Sequence, residues 1–195
     1  MKQALLAAAG AALILLATVG APRGRSAAVA ELYPLDVGFS WTYRGVGNVT
    51  VVRRVERAVE IDGRQYFEMS YVLPFLGTRV LPMRRVEGGV VTCREGREFL
   101  LLKFPMLKGD RWTIDLPGEK ETADCTVTGE EPIEFAGRKA VATRLEVVRR
   151  KRESTESSTD FEWYVPGVGL AKMQVTLGIQ ATFVLERFEK ADENR

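Results

Sequence analysis

An apolar set alternating with a mostly polar one, repeated along nearly the whole chain after residue 30, constrains this sequence to a β fold. Phe67, Met69, Tyr71 and Leu73 alternate with Tyr66, Glu68, Ser70 and Val72. Val141, Thr143, Leu145 and Val147 alternate with Ala142, Arg144, Glu146 and Val148, and Ala171, Met173, Val175 and Leu177 with Leu170, Lys172, Gln174 and Thr176. A period of two with one apolar side marks a half-buried antiparallel strand. Beyond residue 30 no stretch keeps a 3.6-residue period past two turns, which leaves short helices only at 74–77 or within 185–193. Asp62-Gly63 is a two-residue hairpin signal between 49–61 and 64–73. Gly88-Gly89, Gly96, Pro117-Gly118, Gly137 and Gly178 punctuate the rest. The expected fold is all-β: one antiparallel sheet of about eight to ten strands, curved into a half-barrel or barrel, since large open sheets curl.

The first 30 residues differ in kind. Lys2 precedes an uncharged, Ala- and Leu-rich run over 4–21, and Pro22 breaks it before Ala28-Val29-Ala30. This is the pattern of a helical signal peptide with a small-x-small cleavage site, placing the mature terminus at Glu31. An uncleaved anchor is the alternative. Arg23 and Arg25 lengthen the segment before the cut and blur its position. Cleavage divides the chain into a leader (1–30), one β domain (31–188) and a charged tail (189–195), with no membrane span left. The leader takes three of the 28 basic residues and none of the 26 acidic ones. The mature domain is then close to neutral, which gives it no global attraction for nucleic acid. The expected compartment is the periplasm or the exterior.

In such a compartment, Cys93 and Cys125 are expected to pair as a structural disulfide, the alternative being two reduced, buried thiols. The chain contains no histidine, which excludes Ser-His and Cys-His nucleophile systems and His-based metal sites. No phosphate-binding loop or nucleophile elbow is present. No catalytic residue, metal site or cofactor is assigned. The residual enzymatic option is a carboxylate-only hydrolase drawing on Asp36, Asp110, Asp115 and Asp124.

Two further features carry expectations. Tyr33-Pro34-Leu35, then Gly38, then Trp41-Thr42 recurs 71 residues later as Phe104-Pro105-Met106, Gly109 and Trp112-Thr113. Hairpin-like segments follow both copies, around Asp62-Gly63 and Ala136-Gly137. This suggests two related β-meanders, or two independent solutions to the same turn. In the strand over 49–61, Arg53 and Arg57 share the parity of Val49, Val51, Val55, Val59 and Ile61. Arginines on an apolar side need a partner or an exit. Either they line a cavity with Phe67 and Tyr71 and meet a ligand's anionic head, or they snorkel or pair with carboxylates. The polar run 149–160 is expected as a solvated hairpin tip.

The opening Tyr33-Pro34-Leu35, Gly38, Trp41, Tyr43 and the late Trp163-Tyr164-Val165-Pro166-Gly167-Val168-Gly169-Leu170-Ala171-Lys172 resemble the paired motifs of a broad group of exported bacterial proteins. The resemblance implies a curved antiparallel sheet similar to the half-barrels of lipoprotein carriers, without their helices. It transfers no catalytic role. In physical terms the motif residues are structural. Pro34 and Gly38 shape a tight turn, Trp41, Trp112 and Trp163 cap the core, and Pro166, Gly167 and Gly169 form a corner. The expected function is a non-enzymatic exported module holding a lipid or other apolar or amphiphilic molecule in the sheet's concavity. The alternative is an interaction module with a filled core that meets another envelope protein.

Overall fold

The computed structural model describes residues 33–73, 77–176 and 179–190. The leader with its cleavage point, residues 74–76 of the helix candidate over 74–77 and the tail beyond 190 lie outside the described residues. The strands are β1 (Ser40–Arg44), β2 (Thr50–Ile61), β3 (Arg64–Leu73), β4 (Gly77–Val86), β5 (Gly89–Arg94) and β6 (Arg97–Lys103). A second set follows: β7 (Arg111–Ile114), β8 (Glu121–Phe135), β9 (Arg138–Lys151), β10 (Ser157–Val165), β11 (Gly169–Thr176) and β12 (Gln180–Glu189). They form one antiparallel sheet in the order β6-β5-β4-β3-β2-β1-β12-β11-β10-β9-β8-β7, curled into a nearly closed barrel. Twelve strands among the described residues exceed the expected eight to ten. β1 has five residues and β7 four, too short for alternation to register. The helix candidate beginning at residue 185 is strand as far as Glu189, paired with β1.

The order resolves into two six-strand meanders joined where β1 pairs with β12. The sequence repeat marks the start of each meander, and the backbone bonding repeats with it. Gly38 N–H donates to the Val55 carbonyl, and Val55 N–H to that of Phe39, at 2.8 and 2.9 Å. Gly109 and Val127 make the same pair of bonds with the Val127 and Asp110 carbonyls at 2.8 and 2.9 Å. Both glycines have positive φ, 88° and 92°, which costs glycine little. Immediately past each valine, the ladder slips by a bulge. The two following hairpins turn on Asp62-Gly63 and Ala136-Gly137, all four at positive φ, the geometry of a type I′ turn.

The free edges β6 and β7 meet through side chains. Trp112 Nε1 donates to the Leu101 carbonyl at 3.1 Å, and Lys103 pairs with Asp110 at 2.8 Å. On the opposite side of the barrel, around β1 and β12, the interior is filled. Trp41 stacks against Phe39 and Phe188 and donates its indole N–H to the Val168 carbonyl at 2.6 Å. Tyr33 and Leu35 are buried in the same core.

The expected disulfide is not formed: Cys93 and Cys125 are both free. Thr92 stands opposite Met83 of the core, so its neighbour Cys93 points to the other side of the sheet. There it stands opposite Glu98. Cys125 stands opposite Trp112 and Val147 within the core. The two thiols therefore occupy opposite faces of the sheet and different meanders, and no bridge geometry exists between them.

Candidate functional site

Residues of β3 to β10, together with the β7–β8 loop, line a cavity of about 730 Å³ on the β6/β7 side of the barrel. Leu81, Leu101, Leu102, Ile114, Leu116, Ala123, Leu145 and Val147 make its wall apolar. Arg79, Arg94, Lys120, Glu119 and Glu121 contribute a mixed-charge set, and Tyr71, Arg149 and Glu162 complete the lining. The filled β1/β12 side forms its back. A concave space of this size, with an apolar wall and many charged groups beside it, suits a small molecule that has both apolar and polar parts.

The bulge in β2 separates the two arginines paired in the sequence. Val55 stands opposite Met69, but Arg57 stands opposite Glu68, with Glu56 as the extra residue. A bulge reverses the alternation beyond it. Arg57 therefore turns outward and pairs with Glu68 at 2.6 Å, with its side chain 70% exposed. Its expected place in a cavity wall is corrected. Ala58 takes the inward position opposite Phe67. Phe67 packs against the core, away from the cavity wall. Tyr71 does line the cavity.

Arg53 precedes the bulge and faces inward, opposite Trp41 and Tyr71. Its guanidinium carbon lies 4.6 Å from the centroid of the Tyr71 ring, a cation–π contact. It lies deep in the molecule, partly accessible, beside the cavity-lining Tyr71 rather than in the cavity wall itself. Burial opposes its charge, and Tyr71, Tyr33, Tyr43 and Tyr164 around it offset that cost and keep it protonated. Burial pushes the Tyr43 phenol up to about 12, with Arg53 beside it acting in the opposite sense. Tyr43 Oη donates to the Leu170 carbonyl at 2.9 Å, and Tyr71 Oη to Met83 Sδ at 3.6 Å. Tyr164 Oη donates to Glu162 Oε2 at 2.5 Å. Among the described residues, Arg53 has no carboxylate within ion-pair distance.

A second interior cation is neutralised. Arg149 Nε pairs with Asp160 Oδ2 at 2.7 Å, and the buried Asp160 also accepts from the Thr176 N–H at 2.8 Å. The 152–156 part of the polar run is an exposed tip as expected, but Asp160 belongs to the interior. Asp160, Glu162 and Tyr164 were missed because the opposite parity of β10, Phe161 and Trp163, is aromatic and advertises itself as the core side. Trp163 instead faces the side where Lys172 lies 4.2 Å from its ring centroid and Glu131 accepts its indole N–H at 2.6 Å.

The remaining motif residues hold the frame. Pro34 is buried beside Tyr33, and Gly169, at φ 82°, would bring a Cβ to 3.3 Å from the Tyr33 ring. Pro166 and Gly167 form the exposed β10–β11 turn. The four aspartates do not converge: Asp36 pairs with Arg85, Asp110 with Lys103, Asp115 with Arg152 and Asp124 with Arg150. Lys103 and the Leu107 N–H hold the Asp110 carboxyl below the usual range.

No protein-family model matches this sequence, and comparison with curated proteins finds no match. Comparison with solved structures does find likenesses. A candidate exported protein with a YmcC-like fold from Bacteroides fragilis superposes with a TM-score of 0.53 at 16% identity, over 82% of this chain and 99% of the other. A candidate lipoprotein from Parabacteroides distasonis aligns at 0.45 and 17% identity, over 83% and 99% of the two chains. The hypothetical lipoprotein YmcC of Escherichia coli aligns at 0.40 and 11% identity, over 80% and 86%. At such identities, the first of these likenesses is one of fold.

Proposed function

We propose that this chain is an exported, non-enzymatic binding protein that holds an amphiphilic molecule inside its barrel. The observation that carries the proposal is the cavity of about 730 Å³, walled by leucine, isoleucine and valine side chains and edged with charged groups. That volume lies within the range of small-molecule sites, roughly 300–1,000 Å³. An interaction module with a filled core would leave no such space. Export is supported by the leader-like residues 1–30 and by the description of the Bacteroides fragilis protein as an exported one. The test is native mass spectrometry of the chain purified from its own envelope without detergent. A co-purifying lipid or other amphiphile in one-to-one ratio is expected. A clean mass for the empty chain, with no uptake when lipid extracts are supplied, would overturn the proposal.

A further inference from the structure

We infer that Arg53, in its cage of tyrosines, is the recognition site for the carboxylate of an acidic amphiphile bound head-inward. The inference rests on the cavity being a binding site and adds the chemical class and orientation of what it takes. Tyr71 connects the two: it lines the cavity and carries the Arg53 guanidinium on its ring at 4.6 Å. Arg149, which lines the cavity, already has the Asp160 carboxylate at 2.7 Å. Arg53 has none, although an unpaired interior charge is costly. Its planar fork of donors matches a carboxylate in two-point geometry. Tyr43, Tyr71 and Tyr164 spend their hydroxyl protons on Leu170, Met83 and Glu162, and Tyr43 and Tyr71 turn their oxygens to Arg53 as neutral acceptors, which leaves its charge without a counter-anion. The leucine-rich wall then holds the apolar tail on the β6/β7 side. Glu162 is the anion nearest in role. It lines the cavity, and its charge is tied to the Tyr164 hydroxyl at 2.5 Å, so it opposes a bound acid without occupying Arg53.

The test compares palmitate with its methyl ester as ligands of the full chain purified after export. Acid is expected to bind about tenfold or more tightly than ester, the effect of one charge-assisted hydrogen-bonded pair. Arg53→Gln should bring the ratio to about one while ester binding persists, and Glu162→Gln should raise the affinity for the acid by removing like charge. Equal binding of acid and ester to the unmodified chain would overturn the acid site while leaving the cavity proposal standing. Binding of neither would overturn the cavity proposal itself. Displacement of palmitate by acetate alone would assign the site to free small acids and overturn the amphiphile. Should Arg53→Gln fail to fold, NMR of carboxyl-labelled palmitate on the unmodified chain decides. A bound carboxyl that titrates well below the free acid supports the Arg53 contact, and one that titrates at or above it overturns the contact.

Discussion

Thiol chemistry follows from the face each cysteine occupies. Cys125 lines the cavity beside Trp112, Val147 and Ala123, and burial pushes its pKa up to about 12, with Glu162 adding to the rise. At pH 8 the thiol form then dominates, and the thiolate is the reactive form. The folded chain is expected to leave Cys125 unmodified by a disulfide reagent, and the denatured chain to release two thiols per molecule without reductant. A mass two hydrogens lighter than the reduced chain would contradict the free state. The sequence supplied the compartment argument for pairing but no information on faces, because a thiol is equally at home on either side of a sheet. The same limit acted on Arg53 and Arg57. Their shared parity was legible, but the slip after Val55 was not. Glu56 and Arg57 carry no glycine or proline to announce a bulge. One of the two arginines was therefore placed on the wrong side of the sheet.

At the scale of elements, punctuation by glycine was the most legible layer. The hairpins at Asp62-Gly63 and Ala136-Gly137 form where positive φ at two successive positions requires them. The 71-residue repeat proved to mark equivalent ends of two meanders, down to the same pair of backbone bonds and the same bulge. Short strands were the illegible layer, since four or five residues of β7 and β1 draw their pairing from neighbours rather than from pattern. Gly89 tests the packing of an element. A Cβ there would fall 2.1 Å from the Leu102 carbonyl oxygen and 2.9 Å from Leu100 Cδ1. Backbone cannot yield as a side-chain tip does, so Gly89→Ala should force β5 and β6 apart and cost about 2–3 kcal/mol, read as a lower urea midpoint. Gly63→Ala is the control, with open space around it and only the positive φ to strain, for about 1 kcal/mol. Equal losses at the two sites would contradict the close approach of β5 to β6.

At the scale of the whole molecule, closure is uneven, and the site follows from that. β1 and β12 are laddered together over an interior filled by Trp41, Tyr43, Leu35 and Phe188. β6 and β7 are held by two side-chain contacts, and the space behind them stays open. Alternation in the sequence says which residues point inward. It cannot say whether inward sides on opposite walls meet, because that depends on strand number and curl, which short strands and bulges set. The all-β curved sheet was therefore legible, and the cavity was not. Its occupation is tested most directly by methyl NMR of the full chain titrated with palmitate. Shifts are predicted at Leu101, Leu102, Ile114, Leu145 and Val147 of the wall, saturating at one ligand per chain, with the exposed Val46, Val141 and Ile179 unmoved. Shifts confined to those exposed methyls, with the wall silent, would contradict a ligand inside the barrel.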